Sequence, residues 1–276
     1  MNKETRTYGV EYILVLALFL IVTFWWLALK YFSIEDSMAN EYFSVSYGLM
    51  ALFGGLYGLK ISKKWGGISS FIGKTIISFS IGLLLQEFGQ LAYSFYSLFL
   101  GIEIPYPSIG DIGFFGSIPF YLLGTYYLSK AVGIEVLLKD NVNKLIFVLV
   151  PVISVIFVYY MFLVGYEYDW SQPVTVFLDF GYPIGQSLYV SLGLSAYILS
   201  SRFLGGYMRV RVLLLFAALV IQYCADFYFL YLVSRDLWDT AGINEYMYFF
   251  AYFVMTLSIL EFNSALKNIK NGGLNG

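Results

Sequence analysis

Apolar runs of about 20 residues alternate with short polar breaks from one end of the chain to the other, a pattern that predicts membrane-crossing helices. Eight runs stand out: Val10 to Leu29, Phe43 to Ile61, Ile72 to Tyr96, Ile112 to Val132, Leu145 to Gly165, Val174 to Leu199, Val212 to Val233, and Tyr246 to Phe262. The longest breaks, Lys30 to Tyr42 and Ser97 to Asp111, are too short to fold alone. Residues 1–276 therefore read as a single polytopic transmembrane domain with no soluble domain: an all-α integral membrane protein of about eight transmembrane helices. The first run is longer than a signal-peptide core, and no small-residue cleavage site follows Trp25, Trp26 and Leu27, so it is expected to remain as a helix.

Composition agrees: 59% of residues are hydrophobic, 21% aromatic and only 12% charged, against roughly a quarter charged in soluble chains. There is no histidine, and Cys224 is the only cysteine. Histidine-dependent catalytic centres, histidine-ligated haem or zinc and an intrachain disulfide are thereby excluded. Cys224 itself reads as a small core residue.

The net charge of −2 carries little meaning, but the placement of charge does. Fourteen of the 16 basic residues fall before the first run, in or at the borders of alternate breaks, or after the last. They are Lys3, Arg6, Lys60, Lys63, Lys64, Lys74, Lys130, Lys139, Lys144, Arg202, Arg209, Arg211, Lys267 and Lys270; only Lys30 and Arg235 fall opposite. The positive-inside rule then places both termini in the cytoplasm of a plasma-membrane protein. The other face is acidic, with Glu35, Asp36, Glu41, Glu103, Glu167, Asp169, Asp236, Asp239 and Glu245.

The runs pair as helical hairpins. An acid stands near each return: Glu41, Asp111, Asp179 and Glu245 are 70, 68 and 66 residues apart. The middle pair reads Asp111-Ile112-Gly113-Phe114 and Asp179-Phe180-Gly181-Tyr182, and the outer pair Asn40-Glu41-Tyr42 and Asn244-Glu245-Tyr246. A two-helix repeat accounts for this, and so does chance in a chain rich in Tyr and Phe. Acids at helix starts also have a plain capping role.

Glu87 and Asp226 lie deeper, about 22 Å and about 21 Å along their helices at 1.5 Å per residue. A lone carboxylate there costs at least about 2.5 kcal/mol, so each needs a polar partner or water. Gln86 and Gln90 flank Glu87, Gln222 stands one turn before Asp226, and Tyr93 and Tyr228 lie further out. Arg235 is the one cation placed to reach inward, and no acid is evident in the inner half of any helix. The functional reading is an outward-facing polar pocket lined by Glu87, Gln90, Asp111, Asp179, Gln186, Gln222, Asp226 and Tyr228. A purely structural polar network between helices fits the same residues. Pro119, Pro151 and Pro183 are expected to kink their helices, Gly54, Gly55, Gly58, Gly82 and Gly89 to allow close packing, and Trp25, Trp26, Trp65, Trp170 and Trp238 to form an interfacial belt.

The stretch Pro105-Tyr106-Pro107-Ser108-Ile109-Gly110-Asp111, with Phe114-Phe115 and Pro119 following, resembles multi-pass membrane sensor domains found N-terminal to diguanylate cyclases and histidine kinases. Leu178 to Gly185, Ala225-Asp226-Phe227-Tyr228, and Trp238 before Tyr252 follow in the same order, so the resemblance runs from about Gln86 to Glu261. Gly110 stands in place of Ala, Gln186 stands where an acid is common, and the domain is expected to stand alone, without the output module. The resemblance implies a sensory role for Asp111, Asp179 and Asp226.

The first expectation is thus a sensor or receptor-like module that binds a small ligand, lipid or ion and signals to a cytoplasmic partner. The alternative is a small solute or ion transporter using intramembrane carboxylates. An enzyme is disfavoured, because no metal-binding or nucleophile motif is present, and a structural subunit of a larger complex is a further reading. The expected partners are the lipid bilayer, a cytoplasmic signalling protein and a second copy of the chain, with no nucleic acid. No metal site is expected, and any cofactor is left open.

Overall fold

The computed structural model describes residues 9–272 except 33, 35, 36, 201–205, 234 and 236. Lys3, Arg6, Glu35, Asp36, Arg202, Asp236 and the side chains of Lys267 and Lys270 lie outside the described residues. Within them the chain is all-helical, in the order α1 (Val10–Tyr31), α2 (Met38–Ser46), α3 (Leu49–Lys64), α4 (Phe71–Ser94), α5 (Ile109–Ala131), α6 (Ile134–Leu137), α7 (Asn141–Val158), α8 (Pro173–Ser200), α9 (Gly206–Val233) and α10 (Ile243–Gly272). Helices α4 and α7 each run on into a π-helical turn, Phe95–Leu100 and Tyr159–Leu163.

The second predicted run is interrupted. Tyr47 and Gly48 separate α2 from α3, and the Glu87 side chain of α4 occupies the place where a Cβ on Gly48 would stand. Elsewhere local chemistry sets the helix starts. The Ser70 hydroxyl accepts the Gly73 N–H at 2.9 Å and Asp140 accepts that of Val142 at 3.0 Å. Ser108 and Asp111 form a reciprocal capping box on α5. Gly101 and Gly165, at φ 60° and 80°, take the left-handed backbone that ends the two π turns.

Among the described residues, six helices are long and apolar enough to cross a membrane: α1, α2 with α3, α4, α7, α9 and α10. Helices α5 and α8 have 23 and 28 residues, enough in length, but glycine, serine and tyrosine dilute their apolar content. Their position explains this. Counting α2–α3 as one, six helices close a ring in which α3, α4, α5, α8, α9 and α10 pack in that order and α10 returns to α3. Helix α1 lies outside against α10 and α2, and α7 lies outside against α8.

The ring has two chemically different ends. At one, Trp26 Nε1 donates to the Ala241 carbonyl at 2.9 Å and Lys30 pairs with Asp239 at 3.3 Å. At the other, Trp65 Nε1 donates to the Phe262 carbonyl at 3.0 Å, and Lys64 donates to Asn263 at 3.0 Å. Arg211, read from sequence as an interfacial charge, is instead buried there against Glu261 at 3.1 Å. That pair also corrects the expectation of no acid in the inner half of a helix. Glu261 lies far along α10, where the Arg211 guanidinium neutralises it.

Candidate functional site

Four of the ring helices turn a stripe of polar and aromatic side chains inward at three- and four-residue spacing, the repeat of one helical face. Helix α4 contributes Gln86, Gln90 and Tyr93, α5 Asp111, Phe114 and Ser117, α8 Asp179, Tyr182, Gln186 and Tyr189, and α10 Glu245, Tyr248 and Tyr252. Together with Glu41, Ser44 and Tyr47 from the α2–α3 break and Asp226 from α9, they line a cavity of about 580 Å³ at the acidic end of the ring. Residues 102–106 and Trp238 border its mouth.

The cavity floor is a hydrogen-bonded cross-tie. Gln86 donates to Ser117 Oγ at 2.8 Å and accepts from the Tyr252 hydroxyl at 3.0 Å, joining α4, α5 and α10. Tyr47 donates to Gln90 Oε1 at 2.6 Å, and Gln90 donates to the Ser44 carbonyl at 2.6 Å, which fixes the α2–α3 break against α4. Beyond the floor, fully buried Phe79, Leu83, Tyr121 and Met50 belong to the hydrophobic core.

The carboxylates are held by neutral donors. Asp111 accepts the Ser108 N–H and the Tyr182 hydroxyl, both at 2.7 Å. Asp179 accepts Tyr106 at 2.7 Å and Tyr166 at 2.5 Å. These bonds cross: a tyrosine of α8 holds the acid of α5, and a tyrosine just before α5 holds the acid of α8. In the loops outside the helices, the bond to Asp179 pushes the Tyr166 phenol up to about 12. Desolvation first, and Asp179 second, hold Tyr106 above the ordinary phenol range. Asp226 accepts from Gln222 and Tyr189, each at 3.3 Å, and from Tyr248. Glu245 accepts Ser44 Oγ at 2.6 Å and the Ala241 N–H at 2.7 Å.

Of the residues expected to share a pocket, Gln90, Asp111, Asp179, Gln186 and Asp226 line this cavity, and Glu87, Gln222 and Tyr228 do not. The separation follows from helix geometry, since each residue turns about 100° from the last. Glu87, next to Gln86, faces the Tyr47–Gly48 break and has one oxygen without a partner. Gln222 sits one turn behind Asp226, and Tyr228 turns away to stack on Tyr231. By the same geometry Cys224 is exposed on the outer face of α9 rather than placed in the core. Arg235 does not reach inward; its guanidinium lies 4.4 Å over the Tyr231 ring.

Two expectations about caps also change. Asp179 lies six residues inside α8 and is a tyrosine acceptor, not a cap. Glu245, treated as a plain cap, also tethers α2 and lines the cavity. Cavity-lining residues that the sequence reading did not place in the pocket include Tyr182, Tyr189, Tyr248, Tyr252 and Asn244. Their signal was present in the i, i+4, i+7 spacing of Tyr182, Gln186 and Tyr189, which matches that of Gln86, Gln90 and Tyr93. Trp238, assigned to the interfacial belt, stands at the mouth. Comparison with protein-family models, curated proteins and solved structures finds no match to this chain.

Proposed function

We propose that this protein is a membrane-embedded sensor or receptor-like module, not an enzyme, whose cavity binds a small ligand from outside the cell. In this reading all eight long helices span the plasma membrane, α5 and α8 included, because their polar faces turn into the ring. Both termini are cytoplasmic, as the basic residues at the end opposite the cavity favour under the positive-inside rule. The resemblance to sensor domains preceding signalling enzymes points the same way, and a cytoplasmic signalling protein is the partner that receives the message.

One observation carries the reading: a cavity of about 580 Å³, lined by polar groups from six helices and bordered by loops at the acidic end only. That volume lies in the range of small-molecule sites. A transporter with a carboxylate relay is less well supported, because Phe79, Leu83 and Tyr121 fill the core where a path would continue.

Reconstituted protein separates the two. Ligand-dependent thermal stabilisation that is lost in Asp226→Asn or Asp179→Asn, without solute flux into liposomes, is the expected result. Flux that depends on Asp226 would replace the sensor with the transporter. Unchanged ligand responses in both variants would remove the cavity from the function.

A further inference from the structure

The chemistry lining the cavity is one-sided. Among the described residues, six carboxylates, Glu41, Glu103, Asp111, Asp179, Asp226 and Glu245, line it, and no lysine or arginine does. The hydrogen bonds that hold five of them come from hydroxyls, an amide or backbone N–H groups, and no cation takes part in those bonds. Asn244 also lines the cavity, is 1% exposed, and has neither side-chain nitrogen nor oxygen paired. An unpaired amide in so buried a place is a donor and acceptor set waiting for a guest.

Aromatic rings make up much of the remaining wall. Tyr47, Tyr252 and Tyr248 stand in a row, with neighbouring centroids 6.2 Å and 6.5 Å apart and each pair inclined by 23°. Tyr248 and Tyr189 both donate to Asp226, so this carboxylate sits among tyrosines. Ring faces attract cations through their quadrupole, most strongly where water is excluded. Asp226 and these rings line the same cavity, so a carboxylate and aromatic side chains are both within it for one positive centre.

A bare metal ion is the other cation to weigh. Among the described residues no three acidic or cysteine side chains converge as a metal site, and the cavity is far larger than an ion needs. We propose that the cavity binds a small organic ammonium cation, held by its carboxylates, Asp226 among them, and by the Tyr47, Tyr252 and Tyr248 side chains. This rests on the reading of the cavity as a ligand site and names the class of ligand.

The test is calorimetric titration of the full chain in lipid nanodiscs with choline, putrescine, the neutral tert-butyl analogue of choline, and benzoate. At least one of the two cations should bind, and the neutral analogue of choline should bind at least about tenfold more weakly than it. Asp226→Asn and Tyr248→Leu should each weaken the cation by about tenfold, whereas Tyr248→Phe, which keeps the ring, should stay within about threefold. Unliganded melting temperatures read separately whether a variant has folded. Equal binding of the neutral analogue, preference for benzoate, or full cation affinity in folded Asp226→Asn and Tyr248→Leu would overturn the cation and leave a ligand cavity standing. No binding by any of the four probes would overturn the cavity as a ligand site as well.

Discussion

Helices α7 and α10 are both long enough to cross a bilayer, yet they are built in opposite ways. The most apolar window of α7 and its π turn has a mean hydropathy of 2.6 and is 11% buried, whereas that of α10 has 1.2 and is 67% buried. In water the order would be reversed, because burial drives apolar groups together. Here lipid is the apolar phase, and the ring interior is where polarity can be satisfied. Helix α1, outside the ring, follows α7, with a mean hydropathy of 2.5 and 22% of its window buried. The outer helices are a hydrophobic skirt, and the ring carries the chemistry.

The largest effect that would sharpen this contrast is expected inside the ring. Arg211→Met removes the cation from the buried Glu261 carboxylate and should cost about 3–5 kcal/mol, read as a fall in melting temperature; an unchanged melt would mean that the interior is wetter than its burial indicates. Next comes the outer face. Ile153 on α7 is 60% exposed, and Ile153→Lys should cost about 3 kcal/mol in membrane insertion assays. The same change on a water-facing helix would stay within about 0.5 kcal/mol, so a neutral outcome would deny that this face meets lipid.

Gly113→Ala comes third. A methyl group there would meet the backbone of α4 at Leu85 and Gly89, so the two helices must separate at a cost of about 1–3 kcal/mol. Gln86→Ala removes the cross-tie to Ser117 and Tyr252 and should cost about 1 kcal/mol, with a larger loss of ligand response than of stability. Ile153→Val, on the skirt, should be smallest, within about 0.5 kcal/mol by the same melting assay.

Much of the fold was legible because the bilayer thickness sets a fixed apolar length, and every predicted run contains a helix. The arrangement of those helices was not. Ring order depends on packing between segments far apart in sequence, such as α10 on α3 and α5 on α8, and no local pattern encodes it. The site was partly legible. Asp111, Asp179 and Asp226 stood out because charge is scarce in such a chain. Glu87 attracted equal notice for the same reason, but one residue of helical rotation turns it from the cavity toward Gly48. The tyrosines were hidden by abundance: among 26 of them, only position on the inward face distinguishes Tyr189 or Tyr252 from those that meet lipid.

The closure of the ring by α10 bears on how the molecule is made. A chain threaded into the membrane from its N-terminus delivers α10 after the other ring helices, and until then α9 and α3 have no wall between them. Gln86 has no Tyr252 to receive, Asp226 no Tyr248, Ser44 no Glu245, and Arg211 no Glu261. The cavity therefore exists only once α10 is in place. A nascent protein halted before α10 has its most polar helix faces open to lipid, the kind of lesion that membrane quality control is suited to detect.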